Sequence, residues 1–170
     1  MKHTAYIAIG SNIGKRYENC VSAVKQLGAH PSLKLIKISP WYRSTALTLE
    51  NEEQADYCNG TACFKTELSP QHFLHLLKKI EQNMGRSPTG IKWQPRIIDL
   101  DLLFFDDCQL TEKGLSIPHP ELAKRMFVLK PLCDIGPHVV HPSIGKTVQS
   151  LLASCPDKPA QQPKWWSEKD

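Results

Sequence analysis

The spacing of apolar residues along the chain changes several times, and each change marks an element. The first run, Ala5 to Ile9, is short and apolar, and Gly10-Ser11-Asn12-Ile13-Gly14 follows as a cluster of turn formers that predicts the end of a strand. From Arg16 to Leu27 the period lengthens: Cys20, Val21, Val24 and Leu27 recur at helical spacing, and Gly28 is a stop signal. Leu33 to Ile38 returns to a strand pattern that can continue past Pro40 to Trp41-Tyr42 as an edge. Ser44 to Asp56 is polar and acidic and reads as a long loop.

Tyr57 to Lys65 is the next predicted strand. Ser69 then precedes Pro70, a capping residue before a proline suited to the first helical turn, and the helix buries Phe73, Leu74, Leu76, Leu77 and Ile80 before Gly85 ends it. Arg86 to Arg96 carries Pro88, Gly90 and Pro95 among basic residues, which predicts a mobile loop. Ile97 to Phe105 is a strand with Asp99 and Asp101 embedded in it.

Strand, helix, strand, strand, helix, strand is the order of an α+β, ferredoxin-like βαββαβ core, with helices on one face of an antiparallel sheet. Residues 110–155 are expected to add short helices and a hairpin, giving one domain over 1–155. Residues 156–170, rich in Pro, Lys and Gln, read as a loosely held tail whose Trp165-Trp166 could dock back. No internal repeat or low-complexity tract is visible.

Composition narrows the class. At 170 residues there is room for one domain with a substantial core. The excess of 21 Lys+Arg over 17 Asp+Glu is modest and suits a small anion better than a nucleic-acid backbone. No stretch is apolar enough for a signal peptide or a membrane span, so the expected location is cytoplasmic. The six cysteines form no CxxC pair, and reduced thiols are expected, Cys20 on a helix face and Cys58 and Cys63 in a strand.

The candidate chemistry lies in the last core strand. Residues two apart on a strand share a face, so Asp99 and Asp101 point one way while Ile98, Leu100 and Leu102 point into the core. Their α carbons stand roughly 6–7 Å apart. Two such carboxylates require positive charge nearby. Either Arg96 or Lys92 supplies it on an exposed face, or a hard divalent cation sits between them. Magnesium takes one or two carboxylates plus substrate phosphates, whereas zinc wants His or Cys.

Four further strings stand out: Trp93-Gln94-Pro95-Arg96-Ile97-Ile98-Asp99-Leu100-Asp101, Gly10-Ser11-Asn12-Ile13-Gly14, Asp56-Tyr57-Cys58-Asn59, and Ile117-Pro118-His119-Pro120 through Arg125-Met126-Phe127-Val128. Together they resemble the 6-hydroxymethyl-7,8-dihydropterin pyrophosphokinase family, in order from Tyr6 to about Leu152. The resemblance implies transfer of the terminal two phosphates of ATP, as one unit, to the pterin hydroxymethyl group, releasing AMP, in folate biosynthesis. It implies that Asp99 and Asp101 bind two magnesium ions and that Arg86 and Arg96 act with them.

By the same resemblance the pterin lies between Tyr57 and Phe127, with Asn59 and the backbone of Ser44 and Ala46 at its edge and Thr45, Leu47 and Trp93 completing the site. A flat heterocycle gains from stacking on both faces, and a carboxamide offers both donor and acceptor. Arg86, Lys92, Arg96, His119 and Arg125 would meet ATP phosphates, with Glu81, Ile97, Ile98 and Ser116 also on the nucleotide side. Guanidinium forks suit phosphate oxygens. Both loops, Ser44 to Asp56 and Met84 to Pro95, would fold over the substrates and exclude water. A monomer with two small-molecule substrates is expected.

Taken singly, Tyr57 and Phe127 could be core aromatics, the arginines surface charges and His119 a turn residue. The chain also departs from the family pattern. Gln94 stands where glycine is usual, Ser44-Thr45-Ala46 replaces Thr-x-Pro, and Ala55 replaces a proline. Two other classes fit less well. An RNA-binding sheet would carry an aromatic RNP1 string, and a zinc hydrolase built on His72 and His75, or His138 and His141, lacks a third ligand and a glutamate base.

Overall fold

The computed structural model describes residues 1–45, 55–85, 96–157 and 163–167. The expected loops Ser44 to Asp56 and Arg86 to Arg96 lie largely outside these residues, and so do Ala46, Leu47, Arg86, Lys92 and Trp93.

The fold is mixed α/β, with an antiparallel sheet and helices on both of its faces. Strand β1 (His3–Ser11) leads into α1 (Arg16–Gly28), β2 (Leu33–Ile38), β3 (Tyr42–Ser44), β4 (Tyr57–Thr66), α2 (Pro70–Asn83) and β5 (Asp99–Phe105). The hairpin β6 (Leu110–Glu112) and β7 (Leu115–Ile117), then α3 (Met126–Ile135), α4 (Val148–Ala153) and β8 (Lys164–Trp165) follow. The sheet runs β5-β1-β4-β3-β8, with β2 pairing β4 beside β3. All of these pairings are antiparallel.

Helix α2 starts where the sequence predicts: the Ser69 side chain accepts the His72 N–H, and Pro70 occupies the first turn. Phe73, Leu77 and Ile80 of α2 join Cys20, Ala23, Val24 and Leu27 of α1 against Ala5, Ile7, Ile9, Phe64, Leu100 and Leu102, forming one core layer. A second layer lies on the opposite face, where Val128, Leu129 and Leu132 of α3 and Val148 and Leu151 of α4 pack on Leu103 and Phe104. The sheet is therefore covered on both sides, not only the one expected from the first two helices.

Three differences from the expected boundaries bear on the site. Strand β1 does not end before Gly10 but runs to Ser11, pairing Gly10 with Asn59 and Ser11 with Cys58. Leu33 to Tyr42 forms two strands rather than one, because the chain leaves the ladder around Pro40 and rejoins β4 further along. The stretch read as a loose tail contains β8, which pairs with β3 at Tyr42↔Trp165 and Arg43↔Lys164.

Strand β5 carries a bulge. Tyr6 pairs with Phe104 and Ile7 with Leu102, leaving Leu103 as the extra residue. One inserted residue flips the facing of everything beyond it. Hence Leu100, Leu102 and Phe105 belong to the first core layer, while Leu103 and Phe104 belong to the second.

Candidate active site

Where the second layer stops, the same sheet face opens into a cavity of about 280 Å³. Ala8, Gly10, Ser44, Thr45, Tyr57, Asn59, Arg96, Asp99, Asp101, Leu103, His119, Arg125 and Phe127 line it. Register explains why. Gly10 pairs with Asp99 on one side and Asn59 on the other, and Ala8 pairs with Asp101 and Thr61. Paired residues of adjacent strands share a face, so the two acids from β5 and the carboxamide from β4 look into one space across the small side chains of β1.

Both carboxylates are half-buried. Asp99 Oδ2 is 2.9 Å from Arg96 Nη1. The salt bridge to Arg96 is thus formed, and acids and cation together face the cavity. Arg96 is itself fastened through its backbone: its N–H donates to Asn12 Oδ1 at 2.7 Å, and the Asn12 N–H donates to its carbonyl at 3.1 Å. Asn12 is buried. This reciprocal pair spans 84 positions of sequence, and the turn-former pattern around Asn12 gave no hint of the partner.

On the opposite wall, the backbone N–H of His119 donates to the Leu103 carbonyl at 3.0 Å, tying it to the bulge. Its Nδ1 accepts the Glu121 N–H at 3.2 Å, which puts the ring proton on Nε2. Arg125 stands at the N-terminus of α3 with its guanidinium 5.8 Å from the centre of the Phe127 ring. Two guanidinium groups around one space suit an anion.

The β3–β4 end is neutral. Asn59 is buried, and its Nδ2 donates a short hydrogen bond to Ser44 Oγ, so the orientation of its amide is set. Tyr57 and Phe127 are half-buried on the cavity wall, not enclosed in the core. Gly10 was not singled out by itself, yet it makes this end possible: a Cβ there would lie 3.1 Å from Asn59 Oδ1 and 3.4 Å from Tyr57 Cδ1.

The cavity therefore brings together Ser44, Thr45, Tyr57, Asn59, Arg96, Asp99, Asp101, His119, Arg125 and Phe127. Four other expected residues do not line it. Ile98 is buried in the first core layer, and Ile97 sits against Gly85. Ser116 lies on the β6–β7 hairpin opposite Thr111. Glu81 is buried on α2, where its Oε1 accepts the Leu100 N–H at 2.7 Å and its Oε2 pairs with Lys78 at 3.1 Å. Here Glu81 supports β5 from behind the acids.

Among the described residues, no three His, Cys, Asp or Glu side chains gather as a metal-binding group. Among these residues neither histidine pair has a third ligand. No helix among them is long and apolar enough to cross a membrane. All six cysteines are free.

Known proteins share this architecture and sequence. A family described as 7,8-dihydro-6-hydroxymethylpterin-pyrophosphokinase (HPPK) matches residues 6–137. The chain is 41% identical over 150 residues to a 2-amino-4-hydroxy-6-hydroxymethyldihydropteridine pyrophosphokinase of Synechocystis sp., covering 88% of this chain and 75% of that protein. It is 38% identical over 148 residues to the protein of that name from Aquifex aeolicus, covering 87% and 89%. Among solved structures, Plasmodium falciparum HPPK-DHPS superposes with a TM-score of 0.71 at 18% identity, over 89% of this chain and 44% of that longer one, which supports the fold. On sequence, order of motifs and architecture, the chain belongs to the 7,8-dihydro-6-hydroxymethylpterin-pyrophosphokinase family.

Proposed function

We propose that this chain transfers the terminal diphosphate of ATP to the hydroxymethyl oxygen of 6-hydroxymethyl-7,8-dihydropterin, releasing AMP, with magnesium held by Asp99 and Asp101. The observation that carries the reading is a single cavity that joins charged side chains on its β5 side to Ser44, Tyr57 and Asn59 on its β3–β4 side, with Phe127 on its wall, which matches a triphosphate and a flat heterocycle. The strand order β5-β1-β4-β2 also fits the ferredoxin-like core expected from the sequence.

The donor set fits magnesium. Two half-buried carboxylates supply oxygen only, and the remaining ligands would come from water and phosphate, which is the habit of this ion. When bound, two such ions supply charge neutralisation and polarise the phosphorus under attack.

The chain's own residues do the rest by positioning. Arg96 and Arg125 fork onto phosphate oxygens, and His119 offers its Nε2 proton to another. Tyr57 and Phe127 hold the heterocycle by stacking, and Asn59 reads its edge with an amide already set by Ser44. Arg86 and Lys92, with Trp93, Ala46 and Leu47, would complete the two ends. Action as a monomer is part of this reading, and free thiols suit a reducing compartment.

The test is incubation with ATP, magnesium and the reduced hydroxymethylpterin, followed by chromatography. AMP and a pterin diphosphate are expected in equal amounts. Release of ADP, or no nucleotide turnover above the pterin-free control, would reject the reading.

A further inference from the structure

Strand β8 sits far from the acids yet shares a register row with them. The row runs Asp99, Gly10, Asn59, Tyr42, Trp165 across five strands. Its first three members line the cavity or make room in it, and the last two continue the same face outward. Trp165 stacks on Tyr42 with ring centres 5.0 Å apart. The Tyr42 hydroxyl in turn donates to Asp134 Oδ2 at 2.6 Å, tying β3 to the helix that carries Phe127.

The next residue grips the opposite face. Trp166 lies 5.0 Å from the Arg16 guanidinium and packs on the first core layer, while its N–H donates to the Trp41 carbonyl at 2.9 Å. Trp41 lies across Gly60, where even a Cβ would come within 2.6 Å of the indole. Consecutive tryptophans thus hold β3 from both sides.

β3 is only three residues long, Tyr42–Ser44, and it delivers the Ser44 hydroxyl that fixes Asn59. A three-residue strand paired on one side only has few hydrogen bonds to hold its register. In the sheet, β3, β4 and β1 intervene between β8 and β5, the strand that carries both acids.

We infer that Lys164–Trp166 is a positioning element for the neutral end of the cavity: by adding a strand to β3 it holds Ser44 and Asn59 in place for the heterocycle, and it leaves the nucleotide end untouched. The inference rests on the assignment of that end to the pterin. Its physical core, the ordering of β3 by β8, stands apart from that assignment.

The experiment compares the full chain with a chain ending at Asp157, and with Trp166→Ala and Trp166→Phe. Asp157 is retained because its Oδ2 accepts the Met126 N–H at 2.6 Å. The truncated and Trp166→Ala proteins should raise KM for the hydroxymethylpterin about tenfold, with KM for ATP and kcat within about twofold, and Trp166→Phe should recover most of the loss. Amide exchange of Tyr42 to Ser44 should quicken at least about tenfold while that of Leu100 to Phe104 stays unchanged, a readout that needs no turnover. Unchanged exchange at β3 would overturn the inference outright. Faster exchange with unchanged pterin KM, or a parallel rise of both KM values together with a lower Tm, would overturn the positioning role and leave β8 as ordinary structural support. A full chain that produces no AMP defeats the functional reading instead, and the exchange comparison still decides whether β8 orders β3.

Discussion

The two ends of the cavity are built on opposite plans. At the β5 end, charge is gathered on side chains that stay half-exposed, Arg96 pairs with Asp99, and the backbone is pinned by Asn12 on Arg96 and by Leu103 on His119. At the β3–β4 end, side chains fix one another directly, Ser44 on Asn59 and Asn59 against Gly10, and the amide is buried. On the proposed function, the contrast follows from what each end binds. Carboxylates and guanidinium groups that would meet a polyanion keep contact with water, because burial of charge is costly. A neutral heterocycle asks only for walls and one oriented amide, and these can be assembled in advance.

The largest effect should come from the charged end. Asp99→Ala and Asp101→Ala should each lower kcat by about 10²–10³ or more, as expected when a group that organises charge at the reacting phosphorus is removed. Thermal melting should barely move, since both side chains face the cavity and not a core layer. A variant with near-normal AMP release would erase the distinction between the ends. Next comes Tyr57→Ala, which should weaken pterin binding by about tenfold through lost stacking and burial while ATP binding changes little. Equal losses in the two titrations would show that the ends are not separate.

Gly10→Ala sharpens the comparison because it touches the row that joins the ends. The added methyl meets Asn59 Oδ1 at 3.1 Å, tighter than ordinary contact. KM for the pterin should rise by roughly three- to tenfold, with a stability cost of about 1 kcal/mol that Tm would register. The smallest effect lies outside the cavity. His141 is buried edge-on to Phe104, ring centres 5.6 Å apart, and burial lowers its pKa below the ordinary 6.5. The unfolded chain then takes up that proton more readily, so stability is full above pH 6.5 and falls as the pH drops through the interval below it. His141→Gln should flatten that slope in a Tm-versus-pH series by less than about 1 kcal/mol, and should leave turnover alone.

Much of this was readable from residue order. The period changes located β1, α1, β4, α2 and β5 to within a few residues, and the alternation of Asp99 and Asp101 with Leu100 and Leu102 placed the acids on the correct face. What escaped has a common physical origin in non-local pairing. The run Leu102-Leu103-Phe104-Phe105 is apolar throughout, so the bulge that flips its second half leaves no polar mark. Asn12 and Arg96 meet only after folding, and Glu81 finds the Leu100 N–H from another element. Strand β8 has two residues in a stretch rich in Pro, Lys and Gln, too few for any period to register. Gly10 reads as a turn former, yet it continues a strand because two neighbours occupy the volume a side chain would take.

Strand β5 is rigid along its whole length. Seven residues hold both acids at one end and, after the bulge, apolar side chains wedged into two packing layers at the other, with Glu81 latching the strand between them. Such a strand has no joint about which the acids could swing. Adaptation to the reacting groups must therefore come from the substrates and the surrounding segments, and gentle warming should not switch the enzyme off before its architecture gives way as a whole.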